Sequence, residues 1–301
     1  MCNNSIDPMN KDFYRHYKPA HSNLIIHWTG IDIDNNYDDC WCSHHDSKTN
    51  DSVTEKYLDR LKSILKYGLW MTKKEEDQHV IINNQEIKRP WVARTCFTEL
   101  KLSEVRNHAA KYGRLGIGFK RRFLLDRLGS PMMYYHQERE PNWFFLSHRI
   151  NNKFKDDNYF SCFLKPMKKE KKKEFEYFDE SEWRIIYSDT IDKYLKDNNK
   201  DAIAKKFKNL ADIKDPEFSN DLKGSKKRPE YLIPIKDSGQ WFAIIIYPSI
   251  NAKVASERHA EIRSLIKEIK PDAGENYIAE PAGCEKFSKP IEIDLDDCRN
   301  F

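Results

Sequence analysis

Apolar and polar positions along the chain fall into two spacings, and the spacing assigns most of the elements. Leu24-Ile25-Ile26-His27-Trp28-Thr29-Gly30 is a short apolar run closed by polar residues and a glycine. It predicts an inner strand that delivers His27 and Thr29 at its end. From Ile31 to Asn50 no periodicity survives, and the segment reads as a loop. Ser52-Val53-Thr54-Glu55 then has the form of a capping box, and Leu58, Leu61, Ile64 and Leu65 recur on one helical face until Gly68 stops the helix. Val80-Ile81-Ile82 and Gln85-Glu86-Ile87 flank Asn83-Asn84 as a surface hairpin. Trp91 to Glu99 predicts the next buried strand. Leu102, Val105, Ala109 and Tyr112 form the face of a helix that ends before Gly113, with Thr98 or Glu99 as its cap.

Further along, Leu115-Gly116-Ile117-Gly118-Phe119 alternates glycine with apolar residues and reads as a strand that lets another backbone approach. It is no phosphate loop, because no Gly-Lys-Ser follows. Lys120 to Leu128 is a short helix closed by Gly129, and Pro131 to Tyr135 a strand. In Phe178 to Tyr187 the glutamates Glu180 and Glu182 stand two apart, so on a strand they share one face, and the apolar residues after them anchor the segment in a sheet. Helical stretches fall near Ile191 to Tyr194 and Ile203 to Leu210. Tyr231 to Ile235 and Phe242 to Tyr247 are strands with a turn between them. A last helix follows, with Ser256 as cap, Ile262, Leu265, Ile266 and Ile269 as its apolar face and Pro271 as its stop. The prediction is a single α+β domain over residues 1–271, a central mixed or antiparallel sheet flanked by helices. It carries a polar insertion at 31–50, a basic loop at 165–175 and an irregular tail at 272–301.

Composition changes this picture in three places. Of the 301 residues 39% are hydrophobic and 13% aromatic, enough for a packed core. The 33% of charged residues therefore belongs to solvated loops rather than to a disordered chain. The net charge of +4 does not by itself call for nucleic acid, but its distribution is uneven. Lys165 to Phe175 holds six lysines against two glutamates just ahead of Glu180. Such a run is ordinarily a solvated loop; its position makes Lys168, Lys169, Lys171, Lys172 and Lys173 the candidate contact to a phosphate-bearing nucleic-acid partner. Met1 to Arg15 lacks the apolar core of a signal peptide, and Trp241 to Tyr247 is too short to span a bilayer. With seven scattered cysteines, this makes the expected location the cytoplasm, with no membrane partner.

Two constellations carry chemistry. Cys40, Cys42, His44 and His45 concentrate zinc-type ligands, but their spacing fits no knuckle and no second pair follows, so a polar loop without metal is expected. Glu180 and Glu182 are the stronger pair. Two carboxylates facing one cavity stabilise a developing positive charge and activate a nucleophile, while two carboxylates in water do neither. His27 has two readings as well, a packed structural histidine or a member of the same site. Trp183 and Arg184 brace the strand from opposite faces, with Arg184 available to ion-pair.

The ordered set of His27-Trp28-Thr29-Gly30, Tyr67-Gly68-Leu69, Cys96-Phe97-Thr98-Glu99, His108 with Tyr112-Gly113, Gly116-Ile117-Gly118-Phe119, Met133-Tyr134-Tyr135 and Glu180-Ser181-Glu182-Trp183-Arg184 resembles the AbiGi family. These are bacterial abortive-infection proteins of phage-defence operons, labelled in some descriptions as an antitoxin component. The likeness covers roughly residues 20 to 270. More loosely, the same order looks like the layout of ADP-ribosyltransferases, including DarT-like toxins that modify nucleic acid. That resemblance implies NAD as a substrate, held in a site lined by His27, Thr29, Phe97, Thr98, Glu180 and Glu182. His27 would bind ribose, Phe97 or Tyr134 would stack on nicotinamide, Glu182 would be the key carboxylate and Glu180 the acceptor-side base. The Ser-Thr-Ser triplet of those enzymes is missing, and Cys96-Phe97-Thr98 stands in part for it. The alternative is a non-enzymatic antitoxin or phage sensor whose same face binds a cognate toxin or other partner protein.

Overall fold

The sheet is built around a strand that has three neighbours. The computed structural model describes residues 24–34, 51–73, 79–82, 85–99, 102, 105–136, 159–167, 181–215, 218, 229–270 and 289–300. In chain order they form β1 (Leu24–Thr29), α1 (Ile31–Asp34), α2 (Asp51–Tyr67), β2 (Leu69–Thr72), β3 (His79–Ile82), β4 (Gln85–Lys88), β5 (Ala93–Thr98), α3 (Val105–Tyr112), β6 (Leu115–Lys120) and α4 (Arg122–Leu125). There follow β7 (Ser130–Pro131), β8 (Met133–His136), β9 (Leu164–Met167), β10 (Glu182–Tyr187), α5 (Asp189–Asp197), α6 (Asp201–Ala204), β11 (Lys208–Asn209), β12 (Pro229–Ile233), β13 (Phe242–Tyr247), α7 (Ile250–Arg258), α8 (Ala260–Glu268) and β14 (Ile291–Asp294).

The main sheet runs β11-β12-β2-β5-β1-β6-β13-β14, with β10 on β5 and β7 on β10. All its ladders are antiparallel except that of β13 with β14. The fold is therefore α+β with a mixed sheet, as the pattern of elements predicts. The hairpin of β3 with β4 stands apart from it, and so does the parallel pair of β8 with β9.

Helices cover both faces. On one, Ile25, Phe97, Ile117, Phe119, Ile185 and Tyr187 pack with Tyr57, Leu61, Ile64 and Leu65 of α2 and with Ala252, Ile262 and Ile266 of α7 and α8. On the other, Ile26, Trp28, Ile244 and Ile246 meet Val105 and Ala109 of α3 and Ile293 of β14. Burial on both faces is why β13 reads as an unbroken apolar run instead of alternating. Each fully buried Ile or Leu of this kind contributes about 1.5–3 kcal/mol.

Five expectations give way. Ile31–Asp34, expected as the start of a loop, form α1, with the Ile33 and Asp34 amides donating to the Gly30 carbonyl. The strand expected over Pro131 to Tyr135 is divided between β7, which pairs with β10, and β8, which pairs with β9. The tail expected to be irregular contains β14, where Ile291-Glu292-Ile293-Asp294 alternates over only four residues and is completed by its ladder to β13. The stretch from Ile203 to Leu210 is not one helix: α6 ends at Ala204, and Lys208 and Asn209 join the sheet as β11. The last helix is two helices. Ser249 caps α7 by accepting from the Ala252 amide, and the His259 ring caps α8 at the Ile262 amide. Ser256 instead lies buried inside α7, with its hydroxyl against that of Tyr247 at 2.8 Å. A tertiary partner claimed a residue that is chemically suited to capping.

Candidate functional site

β10, β5 and β1 lie side by side, so the strands that carry Glu182, Phe97-Thr98 and His27 are consecutive in the sheet. β10 pairs with all six residues of β5. The opposite edge of β5 is divided: Arg94 pairs with Thr72 of β2 and Thr98 with Ile26 of β1. Between those two points the sheet forks, and side chains span the opening. His27 Nδ1 donates to the Cys96 carbonyl at 2.9 Å, and the Thr95 hydroxyl donates to the Trp70 carbonyl at 2.8 Å. A carbonyl only accepts, so Nδ1 carries its proton, and a neutral His27 ring has its lone pair on Nε2. The ring also lies against Phe97, centroid to centroid 5.6 Å.

Glu182 opens β10 opposite Thr98 and is 9% exposed. Its Oε1 accepts from Arg184 Nη2 at 2.9 Å and its Oε2 from Lys165 Nζ at 2.8 Å. Its backbone amide donates to the Tyr134 hydroxyl at 3.3 Å, and the Cys96 thiol donates to its carboxylate. Arg184 is itself fixed by a second donor, Nη1 to the Cys162 carbonyl at 2.7 Å. Burial alone would raise the Glu182 pKa, but the Arg184 guanidinium and the Lys165 ammonium outweigh it and hold the carboxyl down at about 2. The group is an anion at every physiological pH. It suits accepting a hydroxyl or opposing a nascent cation, and it is too weak a base to move protons near neutrality. Burial pushes the Cys96 thiol up, reinforced by the Glu182 charge, which disfavours its thiolate form.

The ladders also fix which side of the sheet each group occupies. Ile26 pairs with Thr98 and Thr98 with Glu182, so these three side chains share one side, with Cys96 and Arg184. One residue along, His27, Phe97 and Trp183 share the other. His27 and Glu182 therefore do not converge from one face. They are linked through Cys96, whose carbonyl accepts from His27 Nδ1 and whose side chain shares the Glu182 side of the sheet.

Of the other residues expected at the site, Thr98 lies beside Glu182 and is buried, and half-buried Tyr134 reaches the Glu182 amide. Phe97 is 1% exposed, packed against Phe119 and Phe123, and belongs to the core, with no face left for a ligand to stack on. Thr29 accepts from Arg60 Nη1 at 3.0 Å, next to the Arg60–Asp32 ion pair. Glu180, Lys168, Lys169, Lys171, Lys172, Lys173, Cys40, Cys42, His44 and His45 lie outside the described residues. Among the described residues no group of three or more His, Cys, Asp or Glu side chains could hold a metal ion. Nor is any described helix long and apolar enough to cross a membrane.

Two groups have roles that the sequence pattern did not predict. Lys165, the first lysine of the basic run, is a partner of Glu182 rather than of solvent. Glu99, expected as a helix cap at the end of a candidate site strand, is buried on the His27 side, ion-paired to Arg121 and accepting from Trp183 Nε1 at 2.7 Å. The Glu-Trp-Arg triplet held the one usable signal: on a strand its glutamate and arginine fall on the same side and its tryptophan on the other. Compared with protein families, with curated proteins and with solved structures, the chain finds no match.

Proposed function

We propose that the chain binds NAD where β1, β5 and β10 lie together and transfers its ADP-ribose to a nucleic-acid or protein acceptor as an effector of phage defence. The observation that carries this reading is the ionised Glu182 at the edge of a forked sheet, one residue, Cys96, away from His27. The defence setting rests on the family resemblance alone.

NAD brings the bond that breaks, the glycosidic C–N bond, whose electron pair leaves on nicotinamide while an acceptor nucleophile bonds to the ribose carbon and releases its proton to water. The chain's own residues suit a ribose. Glu182 supplies a fixed negative charge that accepts a hydroxyl and opposes the positive charge developing on the sugar. Tyr134 supplies a hydroxyl beside the Glu182 amide, whereas His27, on the other side of the sheet, acts on the site only through the Cys96 carbonyl that it holds. With Phe97 in the core, Tyr134 is the aromatic assigned to the nicotinamide end.

One observation favours the second reading, a non-enzymatic antitoxin or sensor. Both Glu182 oxygens are already engaged, by Arg184 and by Lys165, as in a purely structural strut. The two readings part on Glu182→Gln. With labelled NAD and a cell extract, the transferase reading expects wild-type protein to label an acceptor, the variant to label none, and toxicity in cells to vanish with it. Absence of label from both proteins, together with a variant that still neutralises a partner toxin, would establish the binding reading instead.

A further inference from the structure

The two cations on Glu182 are not equivalent. Arg184 has a side chain 6% exposed, sits on the same strand as its partner and is fixed by the Cys162 carbonyl. Lys165 has a side chain 23% exposed and comes from β9, outside the main sheet. There it is paired directly with Tyr134 of β8, so the small β8–β9 leaf presents two adjacent groups to Glu182. Tyr134 takes the backbone amide and Lys165 takes Oε2. Arg184 is anchored on its partner's own strand and by a buried carbonyl, whereas Lys165 reaches Glu182 from outside the main sheet on a flexible, partly exposed stem.

Resting on the NAD reading above, we infer that Lys165 is the exchangeable counter-ion of the site. A ribose hydroxyl of the ligand replaces the ammonium at Glu182 Oε2, and the freed ammonium pairs with the diphosphate of the same ligand. The Oε2 edge is then the working edge of Glu182, while Oε1 stays with Arg184. No covalent bond changes in this step: one charge-assisted hydrogen bond is exchanged for another, and a second forms between ammonium and phosphate. Lys165 is accordingly a positioning and specificity residue that selects for a ligand carrying a hydroxyl and an anion together.

The test measures calorimetric affinity for ADP-ribose, which has the diphosphate, and for nicotinamide riboside, which has none. It uses full-length wild type, Lys165→Met and Lys165→Arg, each checked for an intact thermal transition. The exchange predicts that Lys165→Met binds ADP-ribose about tenfold more weakly but nicotinamide riboside at least as tightly as wild type, and that Lys165→Arg recovers most of the loss. Equal weakening of both ligands, or no change in ADP-ribose binding, would overturn it and leave Lys165 a structural counter-ion. Wild-type protein that binds neither ligand would defeat the NAD reading itself, and this inference with it.

Discussion

Glu182 ties the stability of the protein to pH in a direction that its surroundings fix. Its folded-state pKa of about 2 lies below the ordinary carboxylate value of 4.5, so the folded state prefers the anion. The resulting stabilisation is fully present above about pH 4.5 and is lost as the pH falls toward 2. Its size is on the order of 3 kcal/mol. Thermal melts from pH 7 to pH 2 should show wild type losing stability through that window, and Glu182→Gln losing less. Parallel curves would mean that the carboxylate is not held as an anion. Arg184→Met should be the costlier change at neutral pH, about 3 kcal/mol in urea melts, because it leaves the Cys162 carbonyl without that donor and a buried carboxylate with Lys165 as its remaining cation. The pairing of Arg184 was legible in Glu-x-Glu-Trp-Arg, since alternation puts residues 182 and 184 together. Lys165 was not, because a lysine run with no period looks solvated until a second strand pairs beside it.

At the scale of elements, what was legible followed from local chemistry and what was not followed from tertiary partners. The apolar face of α2 and its stop at Gly68, with φ of +115° and an amide donating to the Ile64 carbonyl, could be read from spacing alone. The start of α8 could not: Ser256 has the right side chain for a cap, yet Tyr247 and Arg263 hold it inside α7. The glycines of β6 were expected to admit another backbone, and the structure fills the space with side chains instead. A Cβ on Gly118 would sit 2.2 Å from Ile244 Cγ2 on neighbouring β13. Gly118→Ala should therefore cost about 1–3 kcal/mol, and combining it with Ile244→Ala should recover part of that loss. Strictly additive losses in denaturant melts would contradict the contact. The same strand shows why glycine there is more than a propensity penalty: Gly116 similarly leaves room for the Trp28 ring.

Across the whole molecule, residues 27, 97 and 182 come from distant parts of the chain onto three consecutive strands. Their order along the sequence suggested one site. The side of the sheet each side chain takes did not emerge from it, because a one-residue change of register exchanges the two faces and only the ladder fixes the register. That is why Glu182 and His27 come together around Cys96 instead of across a shared cavity, and why Phe97 turned out to be core. The α+β class, by contrast, was legible throughout, because burial on both faces marks β13 and period-3.6 faces mark α2, α3 and α8. The most direct measurement of the central claim is nicotinamide released from NAD by purified protein, wild type against Glu182→Gln, followed by chromatography with melting curves as a folding control. The account predicts release by wild type and a fall of about a hundredfold or more in a folded variant. No release by wild type, or equal release by both, would contradict it.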